Sequence, residues 1–536
     1  MASLLDRIYA RAPIAVQHAM ATGYGVQQRV RRYGGAFERV CAELRANEWR
    51  SADELAAIQD AAVRRTIQHA ATAVPYYREL FARAGLRPQD IRGAADLRHL
   101  PMLDKATVAE HGARLRPDRP PVDGLLHTTG GTTGKPVPYW VSPAAVQFNY
   151  ATYEVRFRAW AGVRHGDKMV SINGKPIVPM TQVGPPYWRH NLAFHQLYVS
   201  AYHLSDANLP AIVDRIAAFS PTVIVAYVSA VHRIARHILD RDRVGEVRPR
   251  AILVSSETLF DRQRDDLERA FGCKVWNGYS LGEPVCFASE CSAGRLHVSP
   301  EYGVIEQVPD GDGHTELVAT GLINDAMPLL RYRTGDRVLP APAGPCPCGR
   351  ALPTIGPIAG RVDEMVATPE GTRVGPAALS LAFQGVPHLR ESQIEQHDPA
   401  AITLRLCVGE AWTRADEQFL LGELRKRLGL TLRIDLVYVE QVPRTVSGKQ
   451  RLVISRLGGP AWQKLHRWVY LAIALGVVHF ALVAKVWTVQ TLVYAAVVLA
   501  LLGWRLADRL RQPWRVARAR PGAASAAQRV VAPVHQ

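Results

Sequence analysis

The spacing of apolar residues divides the chain into unlike stretches. Over 38–84, Leu55, Ile58, Ala62 and Arg65 recur at helical spacing and Pro75 punctuates the run, which predicts a scaffold of helices. Between 206 and 271, helical stretches alternate with short β-rich runs, continued by another just beyond; these runs cover 222–227, 251–255 and 274–276. Such alternation predicts an α/β unit with a substantially parallel sheet. Ligands of open α/β sheets bind beyond the carboxyl ends of the strands, so the turns Ser255-Ser256-Glu257 and Asn277-Gly278-Tyr279 are the expected pocket. A second unit begins near Gly360-Arg361, where strand-like runs at 402–408 and 432–439 flank a helix-like 414–428. That α+β pattern is long enough for a small lid domain. After Gly458-Gly459-Pro460 the character changes: 468–484 and 486–504 are nearly uncharged apolar runs separated by Lys485. Each approaches the roughly 20 residues that span a bilayer. The predicted organisation is a large α/β domain over 1–360, a lid over 361–457, a two-helix transmembrane hairpin over 458–511 and a basic, disordered tail over 512–536.

Charge refines this picture. Of the 536 residues 48% are hydrophobic and 21% charged, the balance of a globular protein with a large core. The formal charge is +17, yet 461–536 holds ten Lys/Arg against one Asp and so supplies +9 of it. No RNA-binding signature accompanies the excess, which excludes nucleic acid as the expected partner. The basic residues instead border the apolar runs: Lys464 and Arg467 before, Arg505, Arg509 and Arg511 after. By the positive-inside rule both ends face the cytoplasm, with Trp468, Trp487 and Trp504 at the interfaces. The expected location is the cytoplasmic membrane, the catalytic domain facing the cytoplasm. Asp6, Arg7 and Arg11 interrupt any signal-peptide core, and seven cysteines, an odd count in a long chain, do not form a disulfide framework.

The densest chemistry lies in His127-Thr128-Thr129-Gly130-Gly131-Thr132-Thr133-Gly134-Lys135-Pro136. Its glycines let the backbone approach an anion, and its hydroxyls and Lys135 can donate to it. The spacing is not that of a Walker loop. This loop resembles the signature of the adenylate-forming superfamily of acyl-CoA synthetases, and 33–457 is similar to the phenylacetate-CoA ligase group. The resemblance is nearest to its CapK-like branch, associated with capsular polysaccharide biosynthesis. Four further blocks follow in the family's order: Tyr279-Ser280-Leu281-Gly282-Glu283, Arg331-Tyr332-Arg333-Thr334-Gly335-Asp336, Gly360-Arg361-Val362-Asp363-Glu364 and Arg444-Thr445-Val446-Ser447-Gly448-Lys449.

The resemblance implies an adenylate-forming domain over 1–360 and assigns roles. Thr128 to Lys135 bind phosphate, Tyr279 offers a face for adenine and Glu283 holds the magnesium that bridges phosphates. Asp336 accepts from the ribose hydroxyls. Arg361 contacts the ribose, Asp363 is the hinge of a rotating lid, and Lys449 stabilises charge as carboxylate and α-phosphate join. Ser280 and Gly282 depart from the family's tyrosine-glycine-x-threonine-glutamate pattern, so the threonine's contribution to AMP binding is missing. The implied reaction joins a small carboxylic acid to ATP as acyl-AMP and then transfers the acyl group to an acceptor, with coenzyme A favoured. Two alternatives stay open: a membrane-anchored haem or redox module with a ligase-like scaffold, and a catalytically degenerate adenylate-binding protein.

Cys291, His297, Cys346 and Cys348 together would close a tetrahedral zinc site, and similar ligases carry this pattern. Cys41, Cys273, Cys286 and Cys407 read as small core residues. Trp188, His195, Tyr202 and His203 are candidate pocket lining. The stretch 461–504 resembles the end of the haem-binding membrane subunit of methionine sulfoxide reductase systems, with His466 and His479 at ligand positions. On one helix they stand about 20 Å apart, too far to grip one iron, so the segment reads as an anchor rather than a haem site.

Overall fold

The computed structural model describes residues 4–128, 137–309, 315–361, 364–369, 373–383, 386, 388–445 and 448–457. The chain opens with helices Leu4–Arg11, Ile14–Tyr33, Phe37–Asn47, Ala52–Ala73 and Pro75–Ala84. Ser51 and Glu54 form a capping box that starts the fourth, and Pro75, expected to punctuate a helix, opens the fifth at its first turn, where its missing N–H costs nothing. Helix Ile14–Tyr33 lies on an edge strand so closely that a Cβ at Gly25 would fall 2.2 Å from the Asn191 side chain.

Two short strands, β1 (Leu125–Thr128) and β2 (Pro138–Val141), form a hairpin. The main sheet contains β3 (Met169–Asn173), β4 (Trp188–Asn191), β5 (Gln196–Ser200), β6 (Val223–Ala226), β7 (Ala251–Ser255), β8 (Val275–Ser280), β9 (Phe287–Glu290), β10 (Leu296–Val298) and β14 (Thr354–Ile355). Their order is β14-β10-β9-β8-β7-β6-β3-β5-β4. The centre, β8-β7-β6-β3-β5, is parallel, as the alternating pattern predicts. Both flanks are antiparallel, because short connections return the chain beside itself. Val170, Ile172, Ile224, Ile252 and Val254 from the central strands, with Ile212, Val231 and Ile234 from flanking helices, fill the core.

A second, antiparallel sheet joins β11 (Gly303–Pro309), β12 (Thr315–Gly321), β13 (Tyr332–Val338) and β15 (Ile358–Arg361). Beyond it, a hairpin of β16 (Val366–Ala367) and β17 (Arg373–Val374) precedes a four-stranded sheet of β18 (Leu389–Asp398), β19 (Ala401–Val408), β20 (Arg433–Tyr438) and β21 (Val453–Ser455), ordered β20-β19-β18-β21. Helix Arg414–Leu428 starts at a Thr413–Asp416 capping box and buries Leu420, Leu424 and Leu428 against this sheet.

The proposed hairpin and tail, 458–536, lie outside the described residues. Among the described residues no helix is long and apolar enough to cross a membrane. The longest, Ala52–Ala73, carries Asp53, Glu54, Asp60, Arg64 and Arg65, and Ile14–Tyr33 carries Arg29, Arg31 and Arg32. The location expected at the cytoplasmic membrane is corrected below, on the relatives the chain matches.

Candidate active site

The carboxyl ends of β3, β6, β7 and β8 open onto one side of the main sheet, where a cleft of about 1880 Å³ runs between this sheet, β13–β15 and the C-terminal sheet. Parallel strands leave their terminal turns unpaired, so side chains there can face a ligand. Both expected turns line the cleft: Ser256-Glu257 after β7, and Asn277-Gly278-Tyr279 at the end of β8.

Of the sequence-predicted residues, Thr128, Tyr279, Glu283, Asp336, Arg361 and Lys449 line this cleft. Thr129, Gly130, Gly131, Thr132, Thr133, Gly134, Lys135 and Asp363 lie outside the described residues. Asp336 and Arg361 are register partners across β13 and β15, and Arg361 Nε donates to Asp336 Oδ1 at 2.9 Å. Tyr279 Oη donates to Asp336 Oδ2 at 2.9 Å. Burial, then the Asp336 charge, hold the Tyr279 phenol well above its ordinary pKa, so it stays a donor. Glu283 is buried and accepts from Tyr332 Oη at 2.9 Å. A side chain built on Gly282 would reach within 2.9 Å of Tyr139 Oη. The Tyr139 hydroxyl therefore stands where the side chain of residue 282 would project, which gives the departure at Gly282 a structural counterpart.

Lys449 enters on a turn in which Gly448 N donates to Thr445 O at 2.8 Å and Thr445 N to Lys449 O at 2.9 Å. Gly448 has φ +75°, and a Cβ there would meet Gly174 Cα and Tyr202 at 3.2 Å. Only glycine both adopts that conformation and fits that gap. The ammonium sits 5.7 Å from the Tyr227 ring centroid. Burial lowers its pKa, and the Glu257 charge pulls back upward.

Glu257 is one of the functional groups the sequence alone did not single out by role. It accepts from Ser229 N at 2.7 Å, Ser229 Oγ at 3.0 Å and Gln450 N at 2.7 Å, so it ties the residue after Lys449 to the main sheet. Around it, Arg444 donates to Ser229 Oγ at 2.7 Å and Glu391 Oε1 at 3.2 Å, and Arg233 to Glu391 Oε1 at 2.9 Å. Arg262 donates to the carbonyls of Phe383 and Val386. The bulky polar residues on either side of the join were visible in sequence, but their pairings, which span from 53 to 215 positions, were not. Trp188, His195 and His203 do not line the cleft, while Tyr202 meets the Gly448 turn.

Cys291, His297, Cys346 and Cys348 converge with their ligand atoms all within 4.8 Å of one another. Cys291 Sγ lies 3.6 Å from Cys346 Sγ, and Cys348 Sγ 3.4 Å from His297 Nε2. His297 Nδ1 lies 2.9 Å from the Leu352 carbonyl; donation there fixes the tautomer that leaves Nε2 free to ligate. Burial lowers the histidine's pKa and so favours its neutral form. Three sulfurs and an imidazole suit a tetrahedral metal. Cys41, Cys286 and Cys407 are buried and Cys273 partly so.

Known proteins match this architecture. The CapK C-terminal domain family matches residues 366–456. Protein CapK of Staphylococcus aureus is 29% identical over 460 residues, covering 85% of this chain and 100% of its own. A phenylacetate-coenzyme A ligase of Thermus thermophilus is 27% identical, over 75% of this chain and 96% of its own. Among solved structures, a 2-hydroxyisobutyryl-CoA ligase in the postadenylation state in complex with R3-HIB-AMP superposes with a TM-score of 0.58 at 19% identity, over 79% of this chain and 93% of that one. The fold is that of adenylate-forming ligases, with mixed α/β sheets. Separately, the C-terminal segment is 48% identical over 64 residues to the haem-binding subunit MsrQ of the protein-methionine-sulfoxide reductase of Azospira oryzae, 11% of this chain and 28% of that one. Relatives that span most of the body are phenylacetate-coenzyme A ligases, and only this short stretch suggests a membrane link, which overturns the membrane location expected from sequence.

Proposed function

We propose that this chain, homologous over most of its length to CapK and phenylacetate-CoA ligases, activates a small carboxylic acid with ATP and passes the acyl group to coenzyme A. In the first step a carboxylate oxygen attacks the α-phosphorus and the bond to pyrophosphate breaks, giving acyl-adenylate. In the second the thiol sulfur attacks the acyl carbon and AMP leaves. The observation that carries this reading is the meeting of Lys449 with Tyr279, Asp336, Arg361 and Glu283 around one cleft. Asp336, already oriented by Arg361 and Tyr279, keeps acceptor capacity for ribose hydroxyls. The Tyr279 face supports adenine. Lys449 neutralises the charge shared by carboxylate and α-phosphate, which a water-poor cleft strengthens. Thr128 to Lys135 take the phosphates, and Asp363 is the pivot on which the lid turns between steps.

Glu283 is the residue to hold magnesium, which supplies charge neutralisation on the phosphates when bound. The Cys291, His297, Cys346 and Cys348 cluster fits a structural zinc. Elemental analysis should find about one zinc per chain, and a Cys348→Ser variant with unchanged zinc content would refute the assignment.

Acid-dependent exchange of labelled pyrophosphate into ATP is the test. Lys449→Ala should lower it by roughly 10²–10³-fold, the range for removing one preorganised group that stabilises transition-state charge. An unchanged rate in a folded variant would refute the assigned role.

A further inference from the structure

Lys175 is a partly buried cation that the adenylation chemistry does not use. It follows Gly174 at the carboxyl end of β3, the same strand end on which the lid turn rests: a Cβ at Gly448 would touch Gly174 Cα. Two tyrosines border this strand end. Tyr202 Oη donates to the Gly174 carbonyl at 2.9 Å, and the Tyr227 phenol lies beside the Gly174 backbone. Tyr227 is the ring that faces Lys449. One side of the Gly174 turn therefore meets the lysine of the lid, and the other carries Lys175.

The surroundings of Lys175 are aromatic and cationic. Its ammonium lies 5.6 Å from the Tyr24 ring centroid and 5.8 Å from that of Tyr198. Arg32, from the same helix as Tyr24, stacks over Tyr150 at 4.4 Å and leaves its buried Nε without a hydrogen-bond partner. Among the described residues no carboxylate pairs with Lys175, Arg31 or Arg32, although ion pairs hold most other inward-facing arginines of the body. Burial, with Arg32 adding to it, lowers the Lys175 pKa to about 8. Cation–π contacts recover part of the lost hydration, but two like charges facing each other without an acid leave an anion-shaped demand.

We infer that the acid activated here carries a second oxyanion, a carboxylate or phosphate, which Lys175 and Arg32 bind at the end of β3 while the reacting carboxylate lies under Lys449. The inference rests on the adenylation reading and names its substrate class. Arg32 supplies a planar fork and Lys175 a compact charge, a pair suited to either oxyanion. The tyrosines around them limit water and sharpen the preference.

Pyrophosphate exchange with matched acids decides it: butyrate against succinate, pentanoate against glutarate, benzoate against terephthalate, and 3-phosphoglycerate. The doubly charged members should lead, and whether carboxylates or the phosphate-bearing acid lead identifies which oxyanion the site takes. Lys175→Gln should cut kcat/KM for the doubly charged acids by roughly 100-fold, as for other desolvated charge-assisted contacts, with the KM for ATP unmoved. Lys175→Arg should restore most of it. Exchange led by the singly charged acids and unaltered by Lys175→Gln overturns the inference alone. No exchange with any acid overturns the adenylation reading, and this inference with it.

Discussion

Two groups of cations lie around the Gly448-Lys449 turn, and the fold treats them in opposite ways. At the join between the main sheet and the C-terminal sheet, Arg233 and Arg444 share Glu391, and Arg262 spends its donors on backbone carbonyls. At the end of β3, Lys175 and Arg32 face aromatic rings and each other, with no carboxylate partner among the described residues. Buried charges that are paired contribute little net stability, but they fix one geometry sharply. Buried charges left unmatched raise the energy of the empty site and lower that of the filled one. The first group sets where Lys449 points; the second sets which ligand is welcome.

The comparison is broken hardest at the paired side. Glu391→Ala removes the shared acceptor of Arg233, Arg444 and the Val442 amide, and should cost about 3–5 kcal/mol, as when one member of a buried ion pair is deleted. Urea unfolding should show this loss, accompanied by slower pyrophosphate exchange. Stability equal to wild type would mean the pairs do not govern the join.

The unpaired side should respond with the opposite sign and a smaller size. Lys175→Met should raise the melting temperature of the ligand-free protein by roughly 1–3 °C at pH 7. Free lysine titrates near 10.5 and Lys175, faced by Arg32, Tyr24 and Tyr198, near 8. Between those values the unfolded chain holds more protons, so wild-type stability climbs with pH relative to the variant. The variant's advantage is full below pH 8 and disappears toward 10.5. A calorimetric pH series showing a constant or widening gap would contradict an unmatched cation.

The two groups also differ in how far sequence discloses them. Tyr279, Glu283, Asp336, Arg361 and Lys449 were legible because each sits in a short contiguous block whose local geometry is set within a few residues. The parallel centre of the main sheet was legible from alternating helix and strand patterns. Glu391 with Arg233, and Glu257 with Gln450, were not, because each pair spans 158 or 193 positions and depends on sheet order. Lys175 was hidden for another reason: a lone lysine in a loop reads as solvated, and only the missing acids around it make it informative. His195 misled because an aromatic-rich run does not say which of its residues fall in a turn, and it lies exposed between β4 and β5.

The cysteine and histidine cluster has a mechanical consequence. Cys291 and His297 precede, and Cys346 and Cys348 follow, the stretch of chain that contains β11, β12 and β13. Whatever draws the four side chains together also buckles both ends of that insertion to the rim of the main sheet. Asp336 lies inside the buckled loop, so the position of this cleft carboxylate is anchored from outside the cleft, by a clasp whose four side chains do not line it.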